Sequence, residues 1–331
     1  MKINLVKQND FNSIESLEFS EHDIDDLSEN ELLINVHCCG ISFADILACE
    51  GKYQDTPPLP FTPGLEVSGI VEAIGSNVKD FNVNDEVVAL CNWGGFSEKV
   101  KVDSKFVVKK LKKMPFDLAA CMTINYGTSY YALIDRGKIK PGDKVLVLGA
   151  SGGIGLSAIE ICKARGCHVT ALASSENKLS ECKSYGADEL VLTKNDNLKE
   201  SLAPLGRRKF DVIYDTVGGS YTTDSLSFIE WEGRLLIMGF ASGDISSLQT
   251  NKILLKGCDV LGIFWGPFAR GNKHFNLDVL NGVNDLFNKG LIKLSKPTMF
   301  HIADFLRPMK EIKERQSIGK LCLYTDSFKR R

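Results

Sequence analysis

Lys144-Val145-Leu146-Val147-Leu148-Gly149-Ala150-Ser151-Gly152-Gly153-Ile154-Gly155-Leu156-Ser157-Ala158-Ile159-Glu160-Ile161-Cys162-Lys163-Ala164-Arg165-Gly166 is the stretch whose reading decides the fold. Val145 to Leu148 form an unbroken apolar run, too short for a helix and bounded by Gly142 and Gly149, which predicts a strand buried on both faces. A glycine cluster follows, and then Ile154, Ala158, Ile161 and Cys162 recur at helical spacing with Glu160 and Lys163 between them. Gly166 closes the run as a C-terminal cap does. Strand, glycine-rich turn and helix in that order suit a ligand carrying a diphosphate. Glycines let the backbone approach the phosphates, and the helix N-terminus offers free N–H groups with positive dipole potential. The register is Ala150-x-Gly152-x-x-Gly155, with alanine at the first position of the dinucleotide fingerprint; the alternative is a tight strand-to-helix turn without a ligand.

Beyond this stretch the chain predicts alternating strands and helices: Cys167 to Ala173, a helix over 176–185, Glu189 to Leu192, Phe210 to Asp215, a helix over 220–229, Arg234 to Met238, and Asp259 to Phe264. Six strands with intervening helices make an α/β, doubly wound parallel (Rossmann) sheet, whose ligands lie beyond the carboxyl ends of the strands. Residues just after the strands are therefore site candidates: Ser174, Ser175, Thr193, Val217, Gly218, Gly219, Gly239, Phe240, Ala241, Phe264 and Trp265. The period is helical from Phe116 to Leu133, until Lys140-Pro141-Gly142-Asp143 breaks it.

Residues 1 to about 115 read differently. Glu31 to His37, Val67 to Ile74, Glu86 to Leu90 and Lys99 to Val102 are short strands separated by glycine turns, with Gly69 and Gly75 as bulge or turn positions. Pro57, Pro58, Pro60 and Pro63 make a stiff loop between Tyr53 and Gly64. This pattern predicts a small β-barrel-like domain. Residues 276–289 predict an amphipathic helix, and the strand, helix and strand that follow, ending at Tyr324, are too short for a core of their own and are expected to return to the first domain. The boundaries expected are 1–120 with 266–331 for the β-rich domain and 121–265 for the nucleotide-binding domain.

Composition narrows the function. The 331 residues exceed the usual size of one core, and 44% apolar content fills two. A net charge of −2, with acids and bases interspersed, leaves no basic face for nucleic acid. The first residues lack the apolar run of a signal peptide and no 18-residue apolar span occurs, so no membrane span and a cytoplasmic location are expected. Ten scattered cysteines without a Cys-x-x-Cys pair read as buried free thiols. His37 and His301 lie in strand-like apolar runs and read as core.

The tip of the second parallel strand bears on the cofactor. An NAD site carries an acid there, about 20 residues past the glycines. Here it reads Ala173-Ser174-Ser175-Glu176-Asn177-Lys178, where two hydroxyls and a lysine suit a ribose 2′-phosphate and predict NADPH over NADH. Glu176 lies close to the acid position, and the competing reading is that Ser174 or Ser175 caps the next helix while Lys178 is solvated.

Taken together, these motifs resemble the medium-chain dehydrogenase/reductase superfamily and, within it, the zinc-independent quinone oxidoreductases. The likeness rests on Gly40-Ile41-Ser42-Phe43-Ala44-Asp45, Gly51-Lys52-Tyr53, Pro63-Gly64-Leu65-Glu66, Gly94-Gly95-Phe96, Asn125-Tyr126-Gly127-Thr128, the glycine cluster, Asp215-Thr216-Val217-Gly218-Gly219 and Gly319-Lys320, and it runs nearly end to end. It implies a GroES-like substrate domain, a cofactor in the cleft between domains, and a homodimer or tetramer. Zinc alcohol dehydrogenases carry a cysteine where Ser42 stands and a histidine where Leu65 stands, and their four-cysteine lobe has no counterpart near Cys91; serine and leucine do not replace those ligands, so no metal is expected. The quinone reductases often carry asparagine in place of Ser42.

Without a metal, the chemistry implied is hydride transfer to an acceptor activated by conjugation, a quinone or an α,β-unsaturated carbonyl. Candidates for polarising the carbonyl oxygen are Ser42, Tyr53 and Tyr126, with Asp45 positioning. Each has a plainer reading: Ser42 and Asp45 as a helix cap, Tyr126 as core. By the same likeness Thr128 faces the nicotinamide, Ser151, Gly152, Gly153 and Ile154 hold the diphosphate, Phe240 and Ala241 the adenosine side, and Ile263, Phe264 and Trp265 the nicotinamide side, with Trp265 equally readable as interface core. Arg315 and Lys320 are expected to reach the cofactor from the tail. The alternatives to a quinone reductase are an enone, enal or enoyl-thioester reductase and, from another class, a non-catalytic NADPH-binding protein.

Overall fold

In the computed structural model, which describes residues 1–206, 209–271 and 273–328, the chain divides into two units. The first is Met1–Ile124 with Arg270–Leu277 and Ser295–Arg331; the second is Asn125–Ala269 with Asp278–Leu294. Among the described residues no helix is long and apolar enough to cross a membrane.

The first unit opens with a two-stranded antiparallel ribbon, β1 (Lys2–Lys7) on β2 (Glu18–Asp23). Next come β3 (Glu31–Ile41), α1 (Phe43–Cys49), β4 (Glu66–Ile74), β5 (Glu86–Leu90), β6 (Lys99–Asp103), β7 (Val107–Lys109) and α2 (Phe116–Ala119). Between α1 and β4 the proline-rich stretch forms neither helix nor strand beyond one bridge from Phe61 to Gln8. Strand alternation is legible in β6, where Val100 and Val102 are buried and Lys99, Lys101 and Asp103 are not. The bulge expected near Gly69 exists, with the register shifting between Val36 and Cys38 on β3. A side chain at Gly69 has no room, since its Cβ would stand 2.1 Å from the carbonyl oxygen of Asn35.

A π-helical turn, Met122–Tyr126, runs across the boundary into the second unit, where α3 (Gly127–Tyr130) and a second π-helical turn, Tyr131–Arg136, follow. Then β8 (Lys144–Leu148), α4 (Gly153–Ala164), β9 (His168–Ala173), α5 (Glu176–Ser184), β10 (Glu189–Leu192), α6 (Leu198–Leu202), β11 (Phe210–Asp215), α7 (Gly219–Ser225), β12 (Ile229–Ile237), α8 (Thr250–Lys256) and β13 (Asp259–Gly262) alternate. The six strands are parallel, in the order β10-β9-β8-β11-β12-β13. That is the doubly wound sheet read from sequence. Three elements differ from expectation: β12 starts at Ile229, five residues early, so α7 stops at Ser225, and β13 ends at Gly262 rather than Phe264.

The chain continues through α9 (Trp265–Gly271), α10 (Lys273–Asn288), β14 (Thr298–His301), α11 (Leu306–Lys313) and β15 (Leu321–Tyr324). From Asp278 to Leu294 it belongs to the second unit, so the lasting return to the first comes at Ser295 rather than near 266. There β14 and β15 complete a sheet of order β14-β15-β3-β4-β5-β7, with β6 also on β3. All ten cysteines are buried and free.

Each unit holds a buried carboxylate. In the first, Glu66 at the head of β4 is fully buried and meets Lys320 Nζ at 2.7 Å; Thr123 Oγ1 and the Ile124 N–H donate to its other oxygen at 2.7 and 2.8 Å. Burial is the largest single effect on the Lys320 ammonium and lowers it, but the charge and hydrogen bond of Glu66, together with Cys121 and Asp45, outweigh it and hold the group above the usual lysine range. Gly40 makes the pair possible, because a Cβ there would lie 2.5 Å from Glu66 Oε1 and 2.7 Å from the Ala120 carbonyl oxygen. In the second, Glu160 of α4 accepts from the Tyr126 hydroxyl at 2.6 Å and from the Lys293 N–H at 2.8 Å. Burial pushes its carboxyl above the usual range, partly offset by those hydrogen bonds.

Lys320→Met leaves Glu66 buried without its counter-charge, and a loss of about 3–5 kcal/mol in urea unfolding is expected at neutral pH; a loss within experimental error contradicts the pairing. The raised Glu160 carboxyl means that the folded chain holds a proton the unfolded chain has released, so this group lowers stability as pH rises above 4.5. Glu160→Gln is expected to remove that decline, its amide donating to Tyr126 after the hydroxyl reorients. The variant's urea midpoint relative to the parent then rises between pH 4.5 and neutrality, and parallel pH profiles contradict the assignment.

Candidate functional site

The second unit places its candidate site where sheet order reverses. Strands β8 and β11 are neighbours, with β9 and β10 on one side and β12 and β13 on the other, so the connections leaving their carboxyl ends diverge. Gly149 leaves β8 with φ of +68°, and its Cβ would stand 2.5 Å from Thr216 Oγ1, whose hydroxyl donates to the Leu148 carbonyl at 3.0 Å. A Cβ on Gly155 would lie 2.5 Å from the carbonyl oxygens of both Gly149 and Ala150. These two glycines let the turn fold back on its own helix.

Gly152 is different. It is the N-cap of α4, in extended conformation, and a Cβ there meets nothing nearer than 3.6 Å. The first intrahelical bond runs from Leu156 N–H to the Gly152 carbonyl at 2.9 Å, leaving the N–H groups of Gly153, Ile154 and Gly155 at the helix N-terminus. Ala150 is buried and its N–H donates to the Leu172 carbonyl, and Ser151 is also buried. The outcome is a small-residue turn with oriented donors and positive helix potential.

The neighbouring turn is organised by a residue to which the sequence reading gave no role of its own. Asp215, buried at the end of β11, accepts at one oxygen from the N–H groups of Val217 and Gly218 at 2.8 and 3.0 Å, and at the other from the Thr222 hydroxyl. Burial pushes its carboxyl up against those hydrogen bonds. The signal was an aspartate two and three residues before Val217 and Gly218, the spacing of a side chain that ties off a turn. Gly218 has φ of +79°, and its Cβ would lie 2.8 Å from the Phe240 ring. The Ala241 N–H donates to the Thr216 carbonyl, and a Cβ on Gly239 would meet nothing nearer than that same carbonyl oxygen at 3.6 Å.

At the tip of β9, Ser175 caps α5, its hydroxyl oxygen accepting from the Lys178 N–H at 3.4 Å, so the capping reading holds for this serine. Lys178 Nζ donates to Ser174 Oγ at 3.2 Å, which brings an ammonium and a hydroxyl together on an exposed edge. Glu176 is exposed in the first turn of α5. Thr193 is half-buried, and its N–H donates to the Ala173 carbonyl.

Thr128 is buried in α3. Of the three residues expected on the same side of the cofactor, Ile263 is buried and Phe264 is 45% exposed. Trp265 turns out to be core: 3% exposed, its ring lies 5.9 Å from that of Tyr131, and a Cβ on Gly127 would touch it at 2.9 Å. Tyr126 is likewise core rather than a donor to an acceptor: it is 1% exposed and its hydroxyl donates to Glu160.

In the first unit, Ser42 and Asp45 form the capping box of α1. Asp45 Oδ2 accepts from the Ser42 N–H at 2.7 Å and hydroxyl at 2.8 Å, and Oδ1 accepts from the Gly64 N–H at 2.9 Å. Burial raises the Asp45 carboxyl against these bonds. Asp45 therefore ties the start of α1 to the end of the proline-rich loop. Tyr53, half-buried, packs edge-on against Trp93 with ring centroids 5.9 Å apart. Arg315 is exposed on the turn after α11, whereas Lys320 is buried on Glu66, which corrects its expected reach toward a cofactor. Leu65 is core and the Ser42 hydroxyl donates to Asp45, so these positions do not fit a resident zinc ion; among the described residues no cluster of three metal-ligating side chains occurs.

Comparison with known proteins agrees with this architecture. Residues 28–113 match the family model of the alcohol dehydrogenase GroES-like domain, and residues 153–277 that of the zinc-binding dehydrogenases. The chain is 33% identical over 299 residues to quinone oxidoreductase-like protein 2 of Rattus norvegicus, covering 90% of this chain and 85% of that protein. The crystal structure of Pseudomonas syringae quinone oxidoreductase superposes with a TM-score of 0.90 at 25% identity, covering 97% of this chain and 99% of that one. That of Escherichia coli quinone oxidoreductase complexed with NADPH gives a TM-score of 0.88 at 25% identity, over the same shares. The chain thus belongs to the medium-chain dehydrogenase/reductase superfamily and, within it, to the quinone oxidoreductase family of oxidoreductases.

Proposed function

We propose that the protein is an NADPH-dependent reductase that passes a hydride to a quinone without a metal. The observation that carries this reading is the turn after β8, where Gly149 and Gly155 have no room for a side chain and three N–H groups stand at the N-terminus of a twelve-residue helix. A diphosphate fits such a turn: it accepts hydrogen bonds from the N–H groups and its charge is favoured by the helix potential. Ser151, Gly152, Gly153 and Ile154 are the residues that would hold it. The E. coli relative, seen with NADPH, supports the same cofactor here.

Lys178 and Ser174, 3.2 Å apart, support a 2′-phosphate contact, the lysine supplying charge and the serine a hydroxyl. Val217, Gly218, Gly239, Phe240 and Ala241 line the turns beyond β11 and β12, where the adenosine side is assigned, with Thr193 beyond β10. Thr128, Ile263 and Phe264 are assigned to the nicotinamide side. NADPH, when bound, supplies the hydride. On the first unit, Tyr53 is assigned as the donor that stabilises negative charge growing on the acceptor oxygen. Ser42 is held by Asp45 and serves as a weaker donor, its proton already committed. The family likeness also supports a cytoplasmic homodimer.

NADPH oxidation followed by absorbance across quinones, enones, enals and enoyl thioesters tests the acceptor. Turnover fastest on quinones is expected; preference for an enone or enoyl thioester moves the assignment to those acceptors, and tight NADPH binding without turnover makes the chain a binding protein. For the cofactor, Lys178→Ala is expected to weaken NADPH by about 10- to 100-fold, the worth of a charged hydrogen bond, while leaving NADH within about twofold. Equal losses for both, read by fluorescence titration, contradict the 2′-phosphate contact.

A further inference from the structure

Asn125 has no assigned role, yet it is 3% exposed and stands against the first residue of α4. A Cβ built on Gly153 would lie 2.3 Å from Asn125 Nδ2, 3.2 Å from its Cγ and 3.5 Å from its Oδ1. Carbon and nitrogen do not approach to 2.3 Å without bonding, so the carboxamide occupies the space a side chain at 153 would take.

The main chain that carries the carboxamide is tied to α4. The main-chain carbonyl of Asn125 accepts from the Ser157 hydroxyl at 3.1 Å, and Ser157 Oγ lies 2.8 Å from the Ile154 carbonyl oxygen. One turn on, Ser129 Oγ lies 2.7 Å from Ser157 Oγ, 2.7 Å from the Tyr214 hydroxyl and 3.2 Å from the Ile154 carbonyl oxygen. Ser129, Ser157 and Tyr214 are all fully buried. This hydroxyl network fastens the stretch from Asn125 to Ser129 onto the first two turns of α4, and in a buried, satisfied network such ties are stiff.

We propose that Asn125 is a positioning residue for the dinucleotide turn: paired with Gly153, its carboxamide sets where the first-turn N–H groups of α4 stand. Asn125 acts through the backbone of α4 and touches no reacting atom. The glycine at 153 is needed because of the carboxamide, in contrast to Gly149 and Gly155, whose space is closed by Thr216 and by backbone carbonyls. The proposal rests on the NADPH reading above.

The test is a double-mutant cycle of Asn125→Ala, Gly153→Ala and the combined variant, with two readouts: NADPH affinity by fluorescence titration and thermal unfolding without cofactor. Gly153→Ala is expected to weaken NADPH by about tenfold or more and to lower the cofactor-free Tm, as the new methyl pushes the turn off the carboxamide. In the combined variant the methyl enters the vacated space, so both NADPH affinity and Tm recover relative to Gly153→Ala alone. Losses that simply add overturn the proposal. Should Gly153→Ala fail to fold, Asn125→Ala on the native Gly153 decides: weakened NADPH with the cofactor-free Tm held supports a positioning role, and unchanged affinity overturns it. Wild-type chain that does not bind NADPH defeats the cofactor reading and the proposal with it, whereas wild-type binding with uncoupled variants defeats the proposal alone.

Discussion

The constraint on which the second unit depends is the absence of side chains where β8 hands over to α4. The carbonyl oxygens of Gly149 and Ala150, the hydroxyl of Thr216 and the carboxamide of Asn125 each fill space that a Cβ at Gly155, Gly149 or Gly153 would claim, at 2.5 Å or less. Helix and strand therefore approach closely, and the helix N-terminus is delivered to the point where the sheet order reverses. A side chain at Gly155 has no space against backbone, one at Gly149 meets the Thr216 hydroxyl, and one at Gly153 meets the Asn125 carboxamide. Gly152, whose Cβ would meet nothing nearer than 3.6 Å, is free of this packing constraint.

Four buried carboxyl groups are each held by hydrogen bonds or an ion pair. Glu66 has Lys320, Thr123 and the Ile124 N–H; Asp45 has Ser42 and the Gly64 N–H; Asp215 has two N–H groups and Thr222; Glu160 has Tyr126 and the Lys293 N–H. Glu66 and Glu160 tie down backbone far from them in sequence, Asp215 closes its own turn, and Asp45 does both, which offsets the desolvation they suffer. Asp45 joins α1 to residue 64 and thereby anchors the far end of the loop that begins at Tyr53.

Much of the fold was legible because its signals are local. The buried runs at Val145 to Leu148 and Phe210 to Asp215, and the helical spacing from Ile154 to Cys162, are period signals that tertiary packing did not overturn. The start of β12 was missed because Ile229 to Gly233 carries charged and exposed residues, including Trp231, that mask a strand edge. Side-chain roles were less legible, for a physical reason. Tyr126 and Lys320 carry polar groups that look available in a sequence, and the partners that bury them, Glu160 and Glu66, lie 34 residues or more away. Trp265 follows the same logic through Gly127, whose missing side chain admits the indole.

The central claim is that the N–H groups at the start of α4 receive the diphosphate of a dinucleotide. Hydrogen–deuterium exchange of the wild-type chain, with and without saturating NADPH, tests it at the residues concerned. The account requires slowed exchange over peptides spanning residues 150–156, with a second protected segment at 174–178. Unchanged exchange at 150–156 under saturating NADPH contradicts it.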